Sequence, residues 1–360
     1  MTISTVKIPA KNPVRAQVQD APLYPFTPID APIKLDQNES PFDVPLGLKR
    51  EIFARLEQMA WNRYPEMHSD GLKHKIAALE DWDAAGVVLA PGSNVLIYAL
   101  AQIAGIGQRV LTVSPGFALY ALSSKLLGGK LTELPLRPDF SLPIDDLCCE
   151  LHGGGPGILF LAEPHAPTGA LHPISDILQI LEAAKGEWLV VLDEAYVQYS
   201  NSSLKHLALE HDNVVMLRTF SKAWGLAGVR LGYLLTNPNL AANVQKMLLP
   251  FNISILHQVT AEVILEHPEI SQGLVEQTIL ERDRVFKALQ DHPNWIAYPS
   301  HANYILIRTS DAKRVHGALL ERGILVRRQD SLQSLEGCLR VSIGTTVEND
   351  AFIAAIKDIS

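Results

Sequence analysis

The chain has 360 residues, of which 47% are hydrophobic, and a formal net charge of −8 at pH 7. This length suits two domains, or one large and one small, each with a buried core. The acidic balance and the lack of a basic block exclude an electrostatic attraction to nucleic acids or anionic membranes. The amino terminus lacks the apolar segment of a signal peptide, and no apolar run approaches the roughly 20 residues of a membrane span. We expect a cytoplasmic protein that acts on small molecules.

The cysteines and histidines predict no metal site. Cys148, Cys149 and Cys338 show no paired ligand spacing, and the 12 histidines are scattered along the chain. We therefore expect reduced structural thiols.

The first 50 residues are predicted to form an arm. Six prolines between residues 20 and 45 block regular helix and favour an extended chain. An arm of this kind wraps around another part of the molecule. We assign residues 1–50 to an arm that joins the small domain, with a helical pattern beginning at residue 47.

Residues 51–250 are predicted to form a large α/β domain. Short apolar runs at 110–113, 158–161, 188–192 and 214–217 are apolar on both faces, which is typical of buried strands. Helical segments alternate with them, for instance at 119–127 and 174–184, and this alternation predicts a largely parallel sheet flanked by helices. Because ligands bind at the carboxyl ends of such strands, the residues that follow them are the candidate site.

Residues 251–360 are predicted to form a smaller α+β domain. Longer helical segments cover 258–266 and 275–289. Strand candidates at 304–307 and 339–343 then flank a helix near 312–322.

Lys222, which follows the fourth predicted strand, is the most informative residue of the chain. A lysine amine can attack a carbonyl to form an imine, the Schiff base of a phosphorylated aldehyde. Thr219 and Ser221 could donate hydroxyls to the phosphate, and Arg230 could neutralise it. An isolated lysine would be interpreted as a surface residue, but this combination points to pyridoxal 5′-phosphate (PLP).

Asp193 follows the predicted strand that ends at Leu192. An aspartate there could pair with a protonated pyridine nitrogen, and Tyr196 could donate to the phenolic oxygen of the ring. Alone, Asp193 could equally be a helix N-cap. Its place one strand before Lys222 favours the catalytic interpretation.

Two further strand ends could complete the cofactor site. Gly92, Ser93 and Asn94 precede a predicted helix, whose free amides and dipole would favour a phosphate. Phe117 follows another strand, and it could stack on the cofactor ring or belong to the core.

These motifs resemble the fold-type I PLP-dependent aminotransferases and, among them, the histidinol-phosphate aminotransferase family. The resemblance covers most of the chain. It is carried by LDQNESP at 35–41, RYP at 63–65, PHAPTG at 164–169, DEAY at 193–196, KAWGLAGVR at 222–230 and GCLRVSIGT at 337–345.

The resemblance implies roles for residues that bind the cofactor. Lys222 matches the residue that bonds covalently to PLP, Asp193 the partner of the pyridine nitrogen, and Tyr196 a partner of the ring oxygen. Ser221, Arg230 and the amides of Gly92 and Ser93 match the phosphate ligands. Tyr64 matches a residue that reaches the cofactor phosphate of the neighbouring subunit, which implies a homodimer with shared active sites.

The resemblance also implies how the substrate is bound. Arg340 matches the arginine that binds the anionic group of the substrate, and Arg327 matches a second arginine associated with histidinol phosphate. A dianion engages two arginines better than one. Asn38 in the arm could close over the substrate or anchor the first helix.

Two departures from the family pattern affect the site. Ala166 replaces the asparagine that donates to the ring oxygen, a loss of about 1.5–3 kcal/mol if nothing compensates. Tyr196 alone, or His165 turned inward, could compensate. Asn94 and Val95 stand where the family commonly carries an acidic pair, but a cradle of backbone amides could survive that change.

The predicted reaction is a ping-pong transamination between histidinol phosphate and 2-oxoglutarate in histidine biosynthesis. Three alternatives remain open at this point. The chain could be an aromatic amino acid aminotransferase, a PLP-dependent phospho-amino-acid decarboxylase, or a PLP-binding module with a regulatory role.

Overall fold

The computed structural model describes residues 13–24, 27–153, 155–200 and 202–359. Residues 1–12 of the predicted arm, and Pro25 and Phe26 within it, lie outside the described residues. The described strands form two sheets. In chain order they are β1 Ile33–Leu35, β2 Val87–Ala90, β3 Arg109–Ser114, β4 Lys130–Pro135, β5 Gly157–Ala162, β6 Trp188–Asp193, β7 Val214–Thr219, β8 Gly232–Leu235, β9 Ile296–Ala297, β10 Tyr304–Arg308, β11 Ile324–Arg328 and β12 Cys338–Ser342.

The helices lie mainly between these strands. In chain order the α-helices of the described chain are α1 Ala16–Gln19, α2 Leu46–Glu57, α3 Asp70–Glu80, α4 Ser93–Ala104, α5 Ala118–Leu127, α6 Ile144–His152, α7 Ile174–Ala183, α8 Leu207–Glu210, α9 Pro238–Gln245, α10 Ile255–Leu265, α11 Pro268–Gln290, α12 Ala312–Leu320 and α13 Thr346–Ile356.

The larger sheet has seven strands in the order β2-β8-β7-β6-β5-β3-β4. Strands β3 to β7 run parallel, whereas β8 is antiparallel to both β7 and β2. The four predicted apolar runs are confirmed as β3, β5, β6 and β7. Their apolar pattern has a simple cause, because successive side chains point to opposite faces that are both covered. In β5, Leu159 and Leu161 enter one core cluster, and Ile158 and Phe160 enter the other.

The smaller sheet has five strands in the order β1-β11-β12-β10-β9. The arm contributes β1, which pairs in parallel with β11 through Ile33 and Ile324. One face of the sheet packs on α11, α12 and α13 around a third core cluster. The opposite face turns toward the larger sheet, since Leu306 belongs to a core cluster of that sheet. The site lies between the two sheets.

The predicted boundaries at residues 50 and 250 stay predictions. The helix α10 packs against α2 and α3, and its Val259, Val263 and Ile264 join the core of the larger sheet. If the domains were divided by how their cores pack, the boundary would therefore follow α10.

Within the described residues, no helix combines the length and the apolar composition needed to cross a membrane. The same residues contain no group of three or more histidines, cysteines or carboxylates arranged to hold a metal ion.

Candidate active site

Lys222 lies in the turn that follows β7. Its ammonium Nζ donates to the carbonyl of Gln37 in the arm at 2.8 Å and lies 5.9 Å from the centre of the Tyr196 ring. Burial of the amine and the positive charge of Arg340, with a smaller contribution from Arg230, together lower the pKa of Lys222 to about 7 in spite of the opposing charge of Glu39. A large fraction of the amine is therefore neutral and nucleophilic near neutral pH.

Asp193 ends β6, the strand beside β7. It is 6% exposed. Its Oδ1 accepts from the amide of Ala195 at 3.0 Å, and its Oδ2 accepts from the phenol of Tyr120 at 2.7 Å. Burial raises the pKa of Asp193 to about 6, and these two hydrogen bonds oppose the rise. The side chain is thus mainly a carboxylate at neutral pH.

Tyr120 is a site residue that the sequence did not predict. It lies on α5, one helical turn after Phe117, and only Phe117 was assigned a role. Its ring stacks on Phe160 with centroids 5.0 Å apart and meets Phe117 edge-on at 5.5 Å. The i, i+3 spacing places the two aromatic rings on one side of the helix, and that spacing was the available signal.

Asn38 joins the arm to both sheets. Its side-chain amide donates to the phenol oxygen of Tyr196 at 2.9 Å, and its backbone amide donates to Ser342 Oγ at 2.8 Å. The Ser342 hydroxyl in turn donates to Asn38 Oδ1 at 3.0 Å. Asn38 has φ 54°, a left-handed conformation that asparagine tolerates better than most residues. The arm is therefore fixed against Tyr196.

Arg230 and Ser221 lie beside the start of α4. This group is here called the anion cradle and is defined by Gly92, Ser93, Ser221 and Arg230. Arg230 Nη1 donates to Ser221 Oγ at 3.4 Å and to the carbonyl of Ala227 at 2.9 Å. No side chain caps α4 at Gly92. The amide of Gly92 donates to the carbonyl of Ala90 at 2.6 Å, and that of Val95 donates to the carbonyl of Gly92 at 3.1 Å. The amides of Ser93 and Asn94, a hydroxyl and a guanidinium thus meet in one place, which suits an anion.

Two glycines allow the anion cradle to be this compact. A Cβ on Gly92, which has φ 92°, would lie 2.8 Å from Arg230 Nη2. A Cβ on Gly232 in β8 would lie 2.3 Å from the backbone nitrogen of Ser93. Thr219 supports the turn from within, because its Oγ1 accepts from the amide of Ser221 at 3.1 Å.

Arg327 and Arg340 are directly opposite each other on the antiparallel pair β11 and β12. Opposed residues of such a pair project from the same face of the sheet. Arg340 Nη2 donates to the carbonyl of Asp36 at 2.9 Å, and its guanidinium lies 5.3 Å from the centre of the Tyr304 ring. Its Nε is buried and has no hydrogen-bond partner among the described residues.

The structure does not bring every predicted residue into this cluster. Tyr64 is 81% exposed and stacks on Phe251 with centroids 4.7 Å apart. Asn94 is exposed, whereas Phe117, half-buried at the start of α5, contacts the ring of Tyr120.

His165 is held away from the position that Ala166 leaves without a donor. Its Nδ1 is bonded to Thr168 Oγ1 at 2.8 Å, and its ring meets that of His172 at 5.9 Å. Burial and the neighbouring His172 lower the pKa of His165 to about 3. Its carbonyl accepts from Tyr304 at 2.9 Å. The side chain is thus neutral and engaged with Thr168, and Tyr196 accepts its hydrogen bond from Asn38.

A nucleophilic lysine, a buried carboxylate and an anion cradle at the carboxyl ends of parallel strands define a class of enzyme that handles a phosphorylated cofactor. The family model of class I and II aminotransferases matches residues 30–356. The chain belongs to that family.

Similar proteins from other organisms carry the name histidinol-phosphate aminotransferase. A histidinol-phosphate aminotransferase of Deinococcus radiodurans is 49% identical over 99% of both chains. One of Thermococcus kodakarensis is 37% identical over 91% of this chain and 92% of its own. A solved structure of the Sinorhizobium meliloti histidinol-phosphate aminotransferase in complex with pyridoxal-5′-phosphate has a TM-score of 0.88 and 22% identity, covering 98% of this chain and all of that chain. At that identity the solved structure supports the fold alone.

Proposed function

We propose that the chain is a PLP-dependent aminotransferase that moves the amino group of histidinol phosphate to 2-oxoglutarate, in histidine biosynthesis. The observation that supports this substrate is that Arg327 and Arg340 lie directly opposite each other on β11 and β12. Like charges directly opposite on a sheet are destabilising, so such a pair is favourable when a dianion such as a phosphate monoester lies between them. The high identity to two histidinol-phosphate aminotransferases supports the same substrate.

The residues present fit PLP. The anion cradle offers donors to its phosphate, Asp193 offers a buried carboxylate to its ring nitrogen, and Lys222 offers a neutral amine to its carbonyl carbon. When bound, PLP supplies an electron-withdrawing ring that stabilises negative charge on the substrate carbon.

The protein side chains then divide the work. Lys222 Nζ has a pKa of about 7, so it can take a proton from a carbon acid and return it near neutral pH. Asp193, mainly a carboxylate at neutral pH, would hold the ring nitrogen in its protonated form. Tyr196, fixed by its bond from Asn38, would orient the ring oxygen without an asparagine at position 166.

The substrate end is proposed to contain Arg340, Arg327 and Asn38. The unpartnered Arg340 Nε is a buried donor that a substrate oxygen could satisfy. Asn38 would close the arm over the substrate, since its backbone is tied to Ser342 beside Arg340 on β12.

The enzyme is proposed to be a cytoplasmic homodimer. Tyr64 lies apart from the cluster in its own chain, and its exposed phenol could reach the anion cradle of a second copy. Its stacking partner Phe251 is 37% exposed and would extend an apolar contact there. The cytoplasmic location is proposed because the amino donor and acceptor of the enzyme are metabolites of the cell interior.

Amino transfer to 2-oxoglutarate from histidinol phosphate, histidinol and phenylalanine tests the substrate. We expect kcat/KM to be highest for histidinol phosphate and to fall most when the phosphate is removed. Equal or faster transfer from phenylalanine would identify an aromatic aminotransferase instead. Carbon dioxide release from a phospho-amino acid without an oxo-acid acceptor would identify a decarboxylase.

A further inference from the structure

We infer that Tyr120 is a positioning residue that orients the Asp193 side chain and keeps it in its carboxylate form. The inference rests on the proposed role of Asp193 as partner of the ring nitrogen. Tyr120 would act on the reaction only through that aspartate.

The hydrogen bond between these residues is short and sheltered. The Tyr120 phenol donates to Asp193 Oδ2 at 2.7 Å, and the two residues are 2% and 6% exposed. Stacking on Phe160, with ring planes 8° apart, holds the phenol in line with the end of β6. The donor is thus fixed before any ligand binds.

The carboxylate is fixed at both oxygens. Ala195 donates its amide to Oδ1 from the turn after β6, and Tyr120 donates to Oδ2 from α5. Each carboxylate oxygen has a second lone pair, so a further donor such as a ring N–H can still be accepted. Two donors on two different elements prevent the carboxyl plane from rotating.

The same bond favours the ionised form. Burial raises the pKa of Asp193 to about 6, and of the two bonds that oppose it the one from Tyr120 has the larger effect. The other titratable groups that face Asp193 are Tyr196 after β6 and Tyr304 on β10. The pKa of Tyr120 is itself well above its usual value because of burial and the adjacent carboxylate. The phenol therefore keeps its proton and acts as a donor.

Tyr120→Phe removes this one donor and leaves the aromatic packing in place. Burial then acts with less opposition, so the pKa of Asp193 rises and protonation begins at higher pH. PLP affinity is measured by titrating the apoprotein with PLP from pH 5 to 9. We expect its decrease on the acidic side to begin at a pH roughly one unit higher than in the wild type. Infrared spectra of the apoprotein with isotope-labelled aspartate should show the same upward movement without cofactor.

Tyr233→Phe is the matched control. Tyr233 is also fully buried and donates to a carboxylate, Glu80 Oε1, at 2.5 Å, on the far side of β7 from α5. The Tyr233→Phe substitution should lower the free energy of unfolding but leave the pH dependence of PLP affinity and of the infrared spectra unchanged. In an Asp193→Asn background, Tyr120→Phe should no longer change the pH dependence.

The outcomes separate this inference from the proposed function. If Tyr120→Phe lowers only the free energy of unfolding, as Tyr233→Phe does, the bond is structural and the inference is wrong. If the PLP affinity of the wild type does not decrease at acidic pH, and Asp193→Asn binds PLP equally well, then the proposed role of Asp193 is wrong whatever Tyr120 does.

Discussion

Among single residues, Arg327 opposite Arg340 is expected to affect substrate binding much more than the stability of the fold. Arg327→Leu should raise KM for histidinol phosphate by roughly ten- to a hundredfold, because a charge-assisted contact to the phosphate is lost. KM for histidinol should change little. The free energy of unfolding without ligand should change little, because relief of the repulsion from Arg340 is offset by loss of the attraction between Arg327 and the carboxylate of Asp36.

The neighbouring arginine provides the control for this prediction. Arg328 is exposed and forms a salt bridge with Asp330, with N–O distance 2.6 Å. Successive residues of a strand point to opposite faces, so Arg328→Leu removes the same charge from the other face of β11. Steady-state kinetics of both variants with both substrates decide the question. Equal changes in KM would mean that Arg327 acts only through the net charge.

At the scale of elements, the start of α4 depends on how closely β8 approaches it. Gly232→Ala would place a Cβ 2.3 Å from the backbone nitrogen of Ser93, so the helix start has to shift. We expect PLP affinity to fall by at least about tenfold, since one or two amide contacts to the phosphate lose alignment. Fluorescence titration of the apoprotein with PLP measures this.

Gly228→Ala is the control for the prediction on α4. It lies in the same turn region, and a Cβ there would meet nothing within 4 Å. It should leave PLP affinity unchanged. Normal affinity in Gly232→Ala would show that the amides of α4 do not bind the phosphate.

The elements also show what the sequence could and could not predict. Strands β5, β6 and β7 are buried throughout, so their apolar runs stood out. Strand β4 lies at the edge of the sheet and has no buried residue, so it gave no such signal. The direction of β8 depends on tertiary packing, which periodicity does not record.

The polar partners of the site were still less accessible from the sequence. Lys222 and Asp193 could be predicted from their places after strands, but Tyr120 joins Asp193 from 73 positions away. A buried network likewise connects Arg218, beside Thr219, to Glu194, beside Asp193, at 2.6 Å. It continues to Glu80, 138 positions from Arg218. Nothing local in the sequence encodes such pairings.

At the scale of the whole molecule, the position of Tyr64 predicts that the dimer is the catalytic unit. Its phenol is exposed and stacked on Phe251 rather than bonded to the anion cradle of its own chain. In a homodimer with shared sites, each cradle would receive Tyr64 from the partner. Tyr64→Ala should then lose roughly tenfold or more in PLP affinity, because a donor to a charged phosphate is removed.

Combining two impaired variants in one dimer tests whether Tyr64 acts across the interface. A heterodimer of Lys222→Ala with Tyr64→Ala would contain one site with both changes and one site with neither. We expect co-expressed, purified heterodimers to recover about half of the wild-type activity per dimer, while each homodimer stays impaired. Wild type paired with a chain that carries both changes is the control, since each of its sites then carries one change. Absence of recovery in a confirmed heterodimer would mean that Tyr64 serves its own subunit or has no role in the site.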